Sequence, residues 1–160
     1  MSDRSVMPAP LLYYSRVRAT LLPLYIGLAI MAFGVLFIAL ALAQRRIDFL
    51  LVPLVMLPTG AFVGFMTVTV RVDQQNVVID FCGIFKRKLP RDQIAMVTTD
   101  NAAGINGYGL RYMGPGMVGY LVGGPEISIT MKNGKTVIAS TDRPELLISI
   151  LRARTARETG

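Results

Sequence analysis

Histidine is absent from the 160 residues, and cysteine occurs once, at Cys82. Without histidine there is no His-dependent catalytic triad and no His-ligated zinc or haem. With one cysteine there is no intrachain disulfide. Charge is scarce as well: 17% of residues are charged, against a typical ~25%. No Walker lysine and no paired-carboxylate cluster is present. Cys82 and the scattered serines and threonines have no histidine to activate them. The expectation is therefore no enzyme, no catalytic residue, no metal, no cofactor and no small-molecule substrate. The charges that exist are biased: 17 Lys and Arg face 10 Asp and Glu, a net +7. Such a balance predicts an anionic neighbour. The cations are dispersed along the chain, so nucleic acid is not expected to be that neighbour.

What fills the space left by charge is apolar: 52% of the residues. The excess is concentrated. Leu21 to Leu42 is a run of 22 residues without a charge. As a helix it would be about 33 Å long, enough for a hydrocarbon core of ~30 Å. A second uncharged run spans Phe49 to Val70, with its helical part expected to end near Phe65. Residues 43–48 form the turn between them. The first run exceeds the ~7–15 residues of a signal-peptide core and follows about twenty others, so an uncleaved anchor is expected. Pro58-Thr59-Gly60 predicts a kink in the second helix. Neither run holds an ionisable residue, which argues against an ion or proton pathway. Arg16 and Arg18 precede the hairpin, and Arg71 and the Lys86 to Arg91 cluster follow it. The positive-inside rule then places both termini in the cytoplasm of a multi-pass cell-membrane protein, although Arg45 and Arg46 in the turn oppose it.

From Thr67 onward the hydrophobic period is two. Val68, Val70 and Val72 alternate with Thr67, Thr69, Arg71 and Asp73, predicting a half-buried strand. Val77 to Cys82, Phe85 to Leu89 and Ile94 to Thr99 predict three more. Glu126 to Met131 and Lys135 to Ala139 flank Asn133-Gly134, which predicts a hairpin with a type I′ turn. Asp142 as N-cap, Pro144 in the first turn and Glu145 three residues after Asp142 open a final helix. Its apolar face is expected to be Leu146, Leu147, Ile150 and Leu151. Arg152, Arg154 and Arg157 complement its C-terminal dipole.

Eight of the fifteen glycines fall within residues 104–124, interleaved with Tyr108, Leu110, Tyr112, Met113, Met117 and Tyr120. Gly114-Pro115-Gly116-Met117-Val118-Gly119 matches G-x-G-x-x-G, but no βαβ unit surrounds it, so no nucleotide site is expected. Two readings stand: strands with glycine bends at a barrel corner, or a tyrosine-bearing loop that meets a partner or the membrane interface.

Several residues carry a resemblance: Gly107-Tyr108-Gly109-Leu110-Arg111, Gly123-Gly124, Ile127 to Thr130, Asn133-Gly134-Lys135, Thr141 to Leu146, Leu89-Pro90 and Ile94. Their spacing over about residues 67–156 resembles the bacterial PH-like (pleckstrin-homology-like) domains found behind transmembrane helices. The resemblance implies an α+β membrane protein: a two-helix transmembrane hairpin, then a PH-like antiparallel β-barrel with a C-terminal capping helix. Residues 1–20 would be an N-terminal cytoplasmic segment, 21–66 the hairpin, 67–156 the PH-like domain and 157–160 a tail. It implies a scaffold or assembly module and no catalytic residue. Phosphoinositide-binding relatives carry basic residues at the first hairpin, whereas this chain has Asp73-Gln74-Gln75-Asn76.

The expected role is a membrane-anchored binding or scaffold protein, an accessory subunit of a membrane complex. The protein partner would be met by Tyr108, Leu110, Tyr112, Met113, Met117 and Tyr120. The alternative is a sensor of the anionic lipid bilayer, with Lys86, Arg87, Lys88 and Arg91 on the head groups at ~1 kcal/mol each.

Overall fold

The computed structural model describes residues 11–100 and 107–158. In chain order the elements are β1 (Tyr13–Arg18), α1 (Leu21–Gln44), a 3-10 turn (Ile47–Leu50), α2 (Leu51–Gly64), β2 (Thr67–Val72), β3 (Asn76–Phe81), β4 (Phe85–Pro90), a 3-10 turn (Arg91–Gln93), β5 (Ile94–Asp100), β6 (Gly109–Gly114), β7 (Met117–Leu121), β8 (Glu126–Met131), β9 (Thr136–Ser140) and α3 (Pro144–Glu158). The protein is α+β, with a helix pair, two sheets and a C-terminal helix.

Length and composition make α1 and the Ile47–Gly64 helical stretch both capable of crossing a membrane. At 1.5 Å per residue they measure about 36 Å and about 27 Å. Their packing is inverted relative to a soluble core. The buried positions are small or lack a flexible side chain: Pro23, Gly27, Gly34 and Ala41 on α1, and Pro53, Gly60 and Gly64 on α2. The large side chains point outward, with Tyr25, Phe33, Leu54 and Val55 each more than half exposed. A methyl group on Gly27 would lie 2.5 Å from the Gly60 carbonyl oxygen, and one on Gly60 would lie 2.7 Å from the Gly27 carbonyl oxygen. Backbones therefore touch at this crossing, as small-xxx-small stripes permit. α2 continues through Pro58, and the Thr59 hydroxyl donates to the Val55 carbonyl at 2.7 Å.

β1 is not among the expected elements. It pairs antiparallel with β2, from Tyr13 opposite Val72 to Arg18 opposite Thr67. The chain thus leaves one sheet, runs out and back as the helical hairpin, and rejoins the same sheet. Both flanks of the hairpin emerge at one end, and residues 13–18 belong to the β domain.

The first sheet has the order β1-β2-β3-β4 and the second β5-β8-β9-β7-β6. The described strands do not close into one barrel, which corrects that expectation. β4 ends at Pro90, one last bond past it running from the Arg91 N–H to the Gln75 carbonyl at 2.8 Å. The turn Arg91–Gln93 then redirects the chain, so β5 pairs with β8 instead. Nor is every pair antiparallel. The β8–β9 hairpin returns β9 along β7, and that pair is parallel.

The core lies between the sheets. Val68, Val70, Val72, Val77, Ile79 and Phe81 meet Ile127, Ile129, Val137 and Ala139. α3 closes it with Leu147 and Leu151, while Leu146 is exposed and Ile150 only half-buried. The Asn133-Gly134 turn differs from expectation. Only Gly134 takes a positive φ, +79°, and its N–H bonds the Met131 carbonyl at 2.9 Å. The Asn133 carboxamide accepts from the Lys135 N–H at 3.0 Å, so a type I turn followed by a glycine bulge closes the hairpin. The Gly83 break is instead a three-residue connection, Cys82 to Ile84, with both Cys82 (φ +55°) and Gly83 (φ +75°) left-handed.

A polar latch fastens β1 to the start of α3. The Tyr13 hydroxyl lies 2.6 Å from Thr141 Oγ1 and donates to Asp142 Oδ1 at 3.2 Å. Ser15 Oγ accepts from the Thr141 hydroxyl at 3.2 Å and from the Asp142 N–H at 3.1 Å. The Ser15 hydroxyl, more than burial opposes it, holds the Asp142 carboxyl below the ordinary aspartate range; the Tyr13 hydroxyl and the Arg143 guanidinium add to this. Asp142 thus ties two elements together two residues before α3 begins at Pro144.

Candidate functional site

The glycine-rich segment is a hairpin of strands over its described part, β6 and β7; Gly104 lies outside the described residues. β6 is the edge strand of its sheet. Tyr108, just before it, is half-buried and tied down: its hydroxyl accepts from Thr20 Oγ1 at 2.9 Å, at the entry to α1. Gly123 lies against the same pair, where a methyl group would come within 2.8 Å of Thr20 Cγ2 and 2.9 Å of Tyr108. Tyr120 is only 6% exposed and belongs to the core, so it is not available to a partner. Met113 is half-buried over Gly119, and Met117 is half-buried at the start of β7.

That leaves Leu110 and Tyr112 as the exposed apolar pair, Tyr112 at 73%. Both point to the same side of β6, two residues apart. Tyr108 marks the helix junction. Tyr112 is four residues farther along, about 13 Å at strand rise. Among the described residues no further strand pairs with that edge, so an aromatic at that distance offers a side chain beside a sheet edge that another chain can meet.

The basic cluster divides in a similar way. The outer face of the first sheet carries Arg16 and Arg18 from β1, Arg71 from β2, and Lys86 and Lys88 from β4, with Asp80 as its acid. The cross-strand register orders them. Arg16 aligns with Thr69, Asp80 and Lys86, whereas Tyr14 aligns with Arg71, Val78 and Lys88. Lys86 Nζ lies 3.7 Å from Asp80 Oδ2, and the Arg71 guanidinium sits 5.4 Å from the Tyr14 ring centroid. Counted along β1 from Arg18, the Lys86 row is about 7 Å from the helix junction and the Lys88 row about 13 Å. The screening length is ~8–10 Å at physiological salt, so only the nearer row would feel a charged surface at the junction. Arg87 is half-buried on the opposite face, opposite Ile79. Arg91 does not join this patch. Its guanidinium donates to the Asp73 carbonyl at 3.0 Å and to the Ile150 carbonyl at 2.9 Å, tying a turn to α3 at the far end of the sheet.

Sequence reasoning does not find Arg16 and Arg18 as members of this face, because they read equally well as charges flanking a helix. Their signal was the alternation Tyr13, Ser15, Val17 against Tyr14, Arg16, Arg18. Of the C-terminal arginines, Arg152 donates to the Val97 carbonyl at 3.4 Å; the side chains of Arg154 and Arg157 lie outside those described. Among the described residues no three of Cys, Asp and Glu gather into a metal site. No protein-family model, no curated protein and no solved structure matches the chain.

Proposed function

We propose that this chain is a membrane-anchored binding and scaffold module, an accessory or assembly subunit of a larger membrane complex. The helical hairpin spans the bilayer, because its large apolar side chains face outward and its glycines face inward. The β domain and both termini lie in the cytoplasm, on the side where Arg16, Arg18, Arg71 and Lys86 gather. The PH-like reading of the β domain rests on its glycine and turn spacing and on a strand series closed by one helix. The role is binding rather than catalysis.

The observation that carries this reading is the edge strand β6, with Leu110 and Tyr112 exposed and held away from the helix junction. A protein partner fits that position better than a lipid surface. The double variant Leu110→Ser/Tyr112→Ser removes the apolar pair without touching the Tyr108–Thr20 contact. Co-purification in mild detergent should then fall severalfold while membrane insertion and melting temperature stay unchanged. Partners retained at parental levels by the folded variant would remove the edge strand from the proposal. A second reading, contact with anionic lipid, is favoured by the basic outer face of the first sheet.

A further inference from the structure

Where the sheet meets the hairpin there is an open-sided cavity of about 380 Å³, lined by Arg16, Arg18, Leu24, Phe65, Met66 and Thr67 among others. Its chemistry is split. Arg16 and Arg18 line one part, and apolar residues from the adjoining ends of α1 and α2 line much of the rest. Among the described residues neither arginine has an ion-pair or hydrogen-bonded partner. The end of α1 beside them has no compensating side chain. Thr20 makes no side-chain cap, its hydroxyl being given to Tyr108, and no acid occupies the first turn. The carboxyl end of α2 borders the same cavity through Gly64 and Phe65. Its partial negative charge offsets that of α1, so the two arginines set the sign.

We infer that this cavity binds the head group of an anionic phospholipid, with the phosphate on Arg16 and Arg18 and the glycerol and upper acyl carbons against Leu24 and Phe65. Arginine suits this task because its planar fork meets phosphate oxygens in pairs. The apolar wall distinguishes a lipid from a free phosphate, which would gain nothing from Leu24 and Phe65. The inference rests on the reading that the hairpin spans the bilayer, since only then does the cavity open at head-group level. It differs from general surface attraction in being a discrete site on two named residues, apart from Lys86 and Lys88.

The chain has no tryptophan, so Phe65→Trp places a single reporter on the cavity wall, at a residue already 65% exposed. The full-length protein carrying it is reconstituted in phosphatidylcholine containing phosphatidylglycerol, with one or the other lipid brominated as quencher. Brominated phosphatidylglycerol should quench with roughly a five- to twenty-fivefold preference over brominated phosphatidylcholine, about fivefold for each arginine. Arg16→Gln/Arg18→Gln should bring the preference close to one. Arg45→Gln/Arg46→Gln, which removes the same charge at the opposite end of the hairpin, should leave it intact. Excess soluble glycerol phosphate should not compete; competition would overturn lipid as the source. Equal quenching by both lipids in the parent, or an equal loss in both double variants, overturns the site while leaving the spanning hairpin in place. Quenching by neither lipid overturns the spanning hairpin and the site with it.

Discussion

The helical hairpin and the β domain solve opposite problems with the same apolar alphabet. In the β domain the large side chains are inside: Phe81, Ile79, Leu121, Ile127 and Leu147 are essentially inaccessible. In the hairpin they are outside, and glycine holds the centre. Water explains the first arrangement, because burying apolar area gains ~25 cal/mol per Å² there. It does not account for the second, in which Leu21, Tyr25, Phe33 and Leu54 are exposed together. In hydrocarbon a buried leucine gains nothing over an exposed one, and close backbone packing becomes the useful contact. One chain thus joins two helices apolar enough to cross a membrane to a domain with a water-type core, and the join falls at Ala19 and Met66, whose backbones are bonded to each other at 2.9 Å.

The same truncation made in each region gives the sharpest break. Leu147→Ala removes a fully buried side chain from the domain core and should cost ~2–5 kcal/mol. Leu36→Ala removes the same atoms from α1, where Leu36 is 51% exposed, and should cost under ~0.5 kcal/mol. Thermal unfolding of the full chain in detergent, followed by circular dichroism, measures both. Equal losses would mean that Leu36 has a protein neighbour and that the hairpin is not lipid-facing there.

Adding an atom instead of removing one separates two reasons for being glycine. Gly60→Ala would force a methyl group 2.7 Å from the Gly27 carbonyl oxygen, an overpacking cost of ~1–3 kcal/mol. Gly134→Ala meets nothing within 4 Å, yet must hold φ near +79°, for ~1–2 kcal/mol. Asparagine tells them apart. Gly134→Asn should recover much of the loss, since asparagine tolerates the left-handed region. Gly60→Asn should be worse than Gly60→Ala. The melting temperatures of the four variants rank these outcomes, and recovery by asparagine at position 60 would remove close packing as the reason for that glycine.

The legibility of the sequence divides along the same boundary. The two long runs were readable because they are long and carry no charge, and Val68 to Val72 and the Leu147 and Leu151 face because burial repeats at a fixed period. The β1 strand was obscured by its neighbour, since Arg16 and Arg18 read equally well as basic flanks of a helix. Sheet partners were not readable at all. Nothing local in Ile94 to Thr99 states that it pairs with β8, because pairing is decided by long-range packing. Tyr112 and Tyr120 lie in the same glycine-rich setting and on the same side of one hairpin. Only the position of β6 at the sheet edge leaves one exposed and the other in the core.

The smallest expected effect concerns the latch that joins β1, the strand entering the hairpin, to α3, the helix closing the domain. Asp142 is the acid in it, and its carboxyl is held below the ordinary aspartate value of 3.8, first by the Ser15 hydroxyl. A carboxyl whose folded pKa is depressed binds protons more weakly than in the unfolded chain. Its contribution to stability is therefore complete above the unfolded value and disappears as pH falls through the folded one. At neutral pH the latch should be fully formed, and the domain should lose its contribution progressively below about pH 4. Nearly half of the Asp142 side chain is exposed, so solvent screens the effect and it should amount to no more than a few degrees in melting temperature. Other carboxylates titrate over the same range, so the parent is compared with Asp142→Asn at each pH. The two should differ at neutral pH and converge in acid. A constant gap at every pH would show that the residue acts through its shape and backbone rather than its charge. The coupling of hairpin to domain would then rest on the uncharged bonds of Tyr13, Ser15 and Thr141.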